Sequence, residues 1–362
     1  MRVLYVRDRL TVHDRRFLMA IVEQGHSPAV VCLSNGTGKT NLPEPGMDFS
    51  VSPAAELAAL AVEYNADVAH AGPVPTVGFL AATHLPRDLP LVVVSWGRDV
   101  LLDCDQDAAL HEQALLAIDR ADSILVDCEA VRRKILSWRP ALNTPFVSFP
   151  WGIDLTTYDG MSRPGSAALR EQLGWKDCTV FVSTRSWEPI YGIDVLLAAF
   201  ATVAKRDKSV RLLLVGDGAL RSSVSADISA RGLFPCVHTP GRIAEADLPI
   251  WYGAADIYIS SSPCDGSSVS LLEAMASGLP TIAHFEHGNP EWITPGSNGW
   301  LTDCRDANRL ADCMRDALKR RGDWPAMGAI GRAKTVSHAN WARNCLALTD
   351  AYRLAIGQEP RP

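Results

Sequence analysis

The sequence predicts an α/β protein with two doubly wound parallel sheets in two domains, and three observations predict it. Short apolar runs alternate with stretches of helical period along the chain. The run at 91–95 is continuously apolar up to its serine, as a strand covered on both faces must be. The same alternation begins afresh after a polar, Gly/Pro-bearing break at 156–165, a fair linker. A chain of 362 residues has room for two domains, each with its own core.

In the first half, 3–6 is the opening strand. A helix follows at 14–24, packed through Phe17, Leu18, Ile21 and Val22 and stopped by Gly25. Strands at 29–33, 68–70, 91–95, 123–126 and 146–149 alternate with helices at 54–64, 74–83, 107–120 and 130–138. The second half has strands at 179–184, 210–215 and 237–238, with helices at 193–204, 220–230 and 246–252. Residues 255–283 read as strand, Gly/Ser loop, a helix over 271–277, a left-handed cap at Gly278, and a further strand. A late strand at 300–301 and helices at 307–318, 324–336 and 341–355 close the chain.

Composition excludes several classes. A formal charge of −6 argues against nucleic acid as the main partner. The nine cysteines are scattered, with no two within four positions, so no metal knuckle or redox pair is spelled out. Reduced thiols in a cytoplasmic enzyme are expected. The apolar run after Met1 is too short for a signal peptide or a membrane span.

The stretch around 255–283 carries the chemistry. A small-residue loop between a strand's carboxyl end and a helix's amino end is an anion site, because amides and helix dipole point into it. Asp265 and Glu273 frame it, so a nucleoside diphosphate sugar would fit. Ser270-Leu-Leu-Glu273 equally reads as a capping box, with the glutamate closing onto its own helix.

Asp265, seven residues, then Glu273, inside D-G-S-S-V-S-L-L-E-A-M-A-S-G-L-P, resembles the Glu-x7-Glu signature of the retaining family-four glycosyltransferases. Asp265 stands here for the first glutamate and is shorter by a methylene. The resemblance implies the GT-B fold: two Rossmann-like domains facing across a cleft, with the last helix crossing back to the first domain. It places an acceptor-side domain at 1–155, a nucleotide-sugar domain at 156–340 and the returning helix at 341–362.

Several motifs take roles from that resemblance. Thr184-Arg185-Ser-Trp-Glu-Pro-Ile-Tyr191-Gly192 is similar to the family's phosphate-binding loop. Arg185 then holds the diphosphate, and Tyr191 stands where a lysine is expected; Arg185 could otherwise be a surface ion pair. Gly216 in Val-Gly-Asp-Gly looks like the turn beside the nucleotide, although a tight strand-to-helix turn explains it as well. Arg242 and Ile243 resemble the segment meeting the base. Gly266, Ser267, Ser268 and Val269 offer amides to the phosphates, Glu273 binds the ribose, and Asp265 the sugar. Gly288 to Trp292 resembles the turn after this loop, with a structural role first. On the acceptor side, Trp96 occupies a position where family members often have histidine. Arg98 and Asp99 follow it; Asp99 either meets an acceptor hydroxyl or N-caps the next turn. His13 faces acceptor or sugar, while Asp14 caps its helix.

The implied activity is retaining transfer from a nucleotide sugar, UDP-sugar favoured over GDP-sugar, to a hydroxyl acceptor, with Arg185, Asp265 and Asp99 as catalytic candidates and no metal or other cofactor. A sugar-nucleotide epimerase or phosphorylase, or a non-catalytic nucleotide-binding subunit, are the alternatives. Asn35 to Thr40 looks like a P-loop tail but has Leu33 where the first glycine belongs, so a loop is expected. Arg132, Arg133, Lys134 and Trp138 form a basic helix that reads as a solvated face or a weak contact with anionic lipid.

Overall fold

The computed structural model describes residues 1–33, 47–159 and 164–360. The chain divides into two compact units, one formed by 1–151 with 342–362 and the other by 152–341. Each is built on an all-parallel sheet, as the alternating pattern leads one to expect.

The first sheet has seven strands: β1 (Arg2–Arg7), β2 (Ser27–Leu33), β3 (Asp48–Ser52), β4 (Val68–Ala71), β5 (Leu91–Val94), β6 (Ser123–Val126) and β7 (Phe146–Ser148). They lie in the order β3-β2-β1-β4-β5-β6-β7. The second has β8 (Thr179–Ser183), β9 (Val210–Leu214), β10 (Val237–His238), β11 (Ile257–Ile259), β12 (Thr281–His284) and β13 (Gly299–Thr302), ordered β10-β9-β8-β11-β12-β13. Both orders run outward from the first strand in one direction and then reverse. The reversal leaves a crevice at the carboxyl ends of β1/β4 and of β8/β11, where such sheets hold ligands.

Burial follows the pattern that made the strands legible. Strands β4, β5, β6, β8, β11 and β12 are buried at every residue, because helices cover both faces. In the second unit, one face packs Leu196, Phe200 and Met314 and the other Tyr252, Tyr258, Leu272 and Met275.

Among the elements absent from the sequence reading are β3 and one helix of the second unit. β3 reads Asp-Phe-Ser-Val-Ser and lies at the sheet edge, half exposed, so it lacks a continuous apolar run. The helix Pro164–Gln172 begins inside the stretch expected to be linker. Proline is compatible with the first turn of a helix, and Arg170 pins the helix to Asp256 at 3.1 Å. The expected closing helix is interrupted, as Trp341–Asn344 and Ala347–Ala355. The second of these packs on the first sheet. Tyr352 Oη meets His70 Nδ1 at 2.9 Å, and Thr349 Oγ1 meets His26 Nε2 at 2.8 Å and Gln24 at 2.6 Å. The P-loop-like stretch Asn35 to Thr40 lies outside the described residues.

Candidate functional site

β8 ends at Ser183, and two residues later Arg185 turns over the loop that follows β11. The residue is 9% exposed, and its guanidinium is closely held. Nη2 donates to Asp265 Oδ1 at 2.6 Å; Nη1 donates to Ser268 Oγ at 2.8 Å and Ser270 Oγ at 3.2 Å. The Tyr191 ring lies 4.1 Å from the guanidinium carbon, a cation–π contact. Burial works against this charge, but Asp265 and the facing phenols outweigh it and hold the arginine protonated. Nε is buried and meets no acceptor. A surface ion pair is therefore ruled out for Arg185.

The loop's other arm is the amino end of the helix Val269–Ala276. Ser268 occupies the N-cap but makes no side-chain cap bond; its hydroxyl accepts from Arg185 instead. The diversion has a consequence. A helix start leaves its first amides without intrahelical partners. Here the amides of Gly266, Ser268 and Val269 donate to no acceptor among the described residues. An arginine and a row of peptide donors thus meet in a nearly dry setting, since Gly266, Ser267 and Ser268 are buried.

The capping-box alternative for Ser270 and Glu273 does not hold. The helix starts two residues earlier than that box requires, so Glu273 lies past the first turn. Its Oε2 accepts instead from Tyr252 Oη at 2.8 Å, and the same hydroxyl lies 2.7 Å from Thr184 Oγ1. Burial and the Glu273 charge push the Tyr252 phenol well up, so it stays a donor. Gly278 is left-handed at φ 81°, as the helix end demands, with Leu279 N closing on Ala274 O at 3.0 Å.

Neighbouring segments shape the loop. Gly288 N donates to Asp265 O at 2.9 Å, and a Cβ on Gly288 would collide with the carbonyl of Gly266. Only glycine permits so close an approach. Gly216 caps β9 and donates to Gly241 O at 3.0 Å; Asp217 O accepts from Trp187 N at 3.1 Å. These glycines serve the tight strand-to-helix turn. Arg242 is exposed, and Ile243 is half-buried against the Tyr252 side of the core.

Sequence reasoning missed four contributors. Tyr252 and Tyr258 hold Glu273 and Ser270, the latter pair at 2.8 Å, and a hydroxyl in an otherwise buried aromatic was the available signal. Asn289, 1% exposed, leaves both its amide atoms without partners, and His287 Nδ1 is likewise buried and unpaired. Nothing in the sequence marks His287; Asn289 falls in the Gly288-to-Trp292 turn, where no role is singled out for it. His284, Glu286 and His287 come close enough to suggest a metal. However, His284 Nδ1 accepts from Cys304 N at 3.2 Å, which leaves the ring proton on Nε2, 3.2 Å from Glu286. That tautomer suits a hydrogen bond rather than a ligand.

The first-unit candidates gather around one arginine. Arg7, at the end of β1, lies 2.9 Å from Asp14 Oδ1, donates to Gly72 O at 2.6 Å and stacks 4.2 Å from the Trp96 ring. Trp96 in turn meets Trp151 edge-on at 4.4 Å, and His13 lies 5.3 Å from Trp151. The helix expected from 14 starts earlier, at Val12–Glu23 with Thr11 as its N-cap, and Asp14 closes a capping box from the third helical position by accepting from Thr11 N at 2.7 Å. Arg98 pairs with Asp103 at 3.0 Å. Asp99 is not an N-cap: it lies inside the turn Asp99–Asp103, 5% exposed, and accepts from Val74 N, Ser95 Oγ and Trp96 N. Those bonds tie the loops after β4 and β5 together. On the basic helix, Arg132, Lys134 and Arg139 each pair with a carboxylate, which offsets much of its positive face.

Known proteins resemble this chain in sequence and in fold. Residues 177–320 match the family model described as glycosyl transferases group 1. A GDP-mannose-dependent monoacylated alpha-(1-6)-phosphatidylinositol monomannoside mannosyltransferase of Corynebacterium glutamicum is 28% identical over 54% of this chain and 53% of its own. A D-inositol 3-phosphate glycosyltransferase of Streptomyces griseus is 26% identical over 67% and 53%. The chain thus spans about half the length of these curated relatives. Among solved structures, Anabaena HepE in complex with UDP superposes with a TM-score of 0.81 at 19% identity, over 96% of this chain and 98% of that one. Sucrose-phosphate synthase of Thermosynechococcus elongatus gives 0.78 at 18%, over 99% of each. No helix among the described residues is long and apolar enough to cross a membrane. The fold is that of the GT-B glycosyltransferases, and the segment bearing Arg185, Asp265 and Glu273 is the one that matches the group 1 glycosyl transferase model.

Proposed function

We propose that the chain is a retaining glycosyltransferase, moving a sugar from a nucleoside diphosphate sugar to the hydroxyl of a glycan, a lipid-linked or a small-molecule acceptor in the cytoplasm. One observation carries the reading: the buried Arg185 guanidinium meets the unpaired amides at the amino end of Val269–Ala276. As the glycosidic bond breaks, negative charge builds on the departing diphosphate. A cation and peptide dipoles already in place stabilise that charge without reorganising. Arg185 supplies the neutralising charge, so the scheme requires no metal. Glu273, oriented by Tyr252, takes the ribose hydroxyls. The acceptor attacks from the face the diphosphate leaves, and a phosphate oxygen takes its proton, so no protein nucleophile is called for.

The names of the sequence relatives speak for GDP-mannose, while HepE binds UDP. We take UDP-sugars as the first donors to test and GDP-mannose as the second. Calorimetry with UDP, GDP and their sugars should find one nucleotide that binds. Arg185→Gln should weaken it at least tenfold, about the worth of one charge-assisted hydrogen bond. If no nucleotide binds, or the variant binds equally well, the reading is wrong. A non-catalytic nucleotide-binding subunit is the second reading, favoured by Tyr191, whose ring packs under Arg185 where a second cation is expected. Nucleotide binding without sugar transfer across an acceptor panel would establish it.

A further inference from the structure

We propose that Asp265 is the resident counter-ion of Arg185 in the donor-free protein, competing with the diphosphate for that guanidinium rather than holding the sugar. The inference rests on Arg185 being the cation for the diphosphate. The pair is short, 2.6 Å, and both side chains are only 10% exposed. The rest of the guanidinium is already assigned: Nη1 to two serine hydroxyls and one ring face to Tyr191. What remains for a phosphate is the edge formed by Nε, which has no acceptor, and Nη2, which Asp265 holds. That edge is a bidentate site for an oxyanion, so an incoming phosphate must take Nη2 from Asp265.

Asp265 is suited to yield. Its Oδ2 is buried without a partner, so the carboxylate is only half satisfied where it sits. Yet the backbone bond from Gly288 N to Asp265 O keeps the residue close by. A carboxylate beside the bound diphosphate repels it, and repels the product more than the donor. The product has lost its sugar and, once its phosphate is deprotonated, carries one more negative charge. Asp265 therefore weakens the hold on the spent nucleotide and favours its release.

The test is calorimetric titration of UDP, GDP, UDP-glucose and GDP-mannose into the wild type, Asp265→Asn and Asp265→Glu. Asp265→Asn keeps an oxygen acceptor for Nη2 but removes the charge. The diphosphate that binds the wild type should bind this variant about tenfold tighter, a gain of about 1.4 kcal/mol. The matching nucleotide sugar should gain less, and Asp265→Glu should gain nothing. Should Asp265→Asn not fold, Asp265→Ser carries the same expectation, read as a larger nucleotide-induced rise in melting temperature than in the wild type. Unchanged diphosphate affinity with weakened nucleotide-sugar affinity would make Asp265 a sugar ligand and overturn the inference while leaving the proposed function standing. Weakened diphosphate affinity would overturn it too, making Asp265 a support for Arg185. A wild type that binds no nucleotide defeats the proposed function itself, and this inference with it.

Discussion

The two sheets share one strand order, and each places an arginine at its point of reversal, stacked on an aromatic ring and paired with an aspartate. Arg7 lies on Trp96 beside Asp14; Arg185 lies on Tyr191 beside Asp265. What differs is how far the partners are satisfied. Asp14 is fully buried, and both its oxygens are engaged: Oδ1 by Arg7 and the Tyr5 hydroxyl at 2.8 Å, Oδ2 by Thr11 N and Oγ1. Asp265 keeps one oxygen unpaired, next to helix amides that are unpaired as well. The Asp14 carboxylate is saturated, which suits a structural role, although the Trp96 indole N–H nearby is buried without an acceptor; around Asp265 a carboxylate oxygen and helix amides are both unmet. Matching topology therefore says where a site can be, and a half-satisfied counter-ion beside unpaired amides says which of the two invites a ligand.

Three experiments press on that contrast. The largest effect should come from Asp14→Ala. It strips a fully buried counter-ion from Arg7 and should cost about 3–5 kcal/mol, read by denaturant unfolding, with nucleotide affinity of the folded fraction unchanged. A loss below about 1 kcal/mol would mean that the first network is not structural.

Next is the pH response of His70, which stacks on Tyr5 at 4.6 Å and bonds Tyr352. Burial, with the nearby Arg7 charge, pulls its pKa from 6.5 down to about 3. The folded state keeps the imidazole neutral, and the unfolded chain protonates it. His70 therefore favours folding above pH 6.5, and stability drains away as pH falls from there towards about 3. The contribution is at most about 1.4 kcal/mol per pH unit. His70→Gln should flatten that slope in unfolding curves taken across the window; an unaltered slope would place the linkage on another group.

The smallest effect belongs to Tyr252→Phe. Removing the hydroxyl that Glu273 and Thr184 share should cost about 1 kcal/mol of stability and lower nucleotide affinity through a looser Glu273. A stability loss with unchanged affinity would separate Glu273 from the ligand.

Much of the architecture was legible because buried parallel strands announce themselves. Leu91–Val94 and Thr179–Ser183 are runs that only a strand covered on both faces can use, and Gly278 marks its helix end through a backbone angle. The loop at 265–273 was legible for a related reason, since small residues before a helix start leave amides exposed. The edge strand Asp48–Ser52 and the helix Pro164–Gln172 were not. One buries too little to show a pattern, and the other starts with residues that also make linkers. The helix start at Val269 was hidden as well, because Ser268 and Ser270 are equally good caps locally.

By itself the sequence determined two parallel α/β units and a small-residue loop framed by Asp265 and Glu273, because periodicity and turn chemistry act between near neighbours in the chain. Only the tertiary structure decided that Ser268 gives its hydroxyl to Arg185 instead of its own helix. It alone decided that Glu273 answers to Tyr252, that Asp99 ties two loops together, and that Asp265 faces a cation with one oxygen still unmet. Each of these is a competition for hydrogen-bond partners between residues distant in sequence, and burial settles it by removing water as the alternative partner.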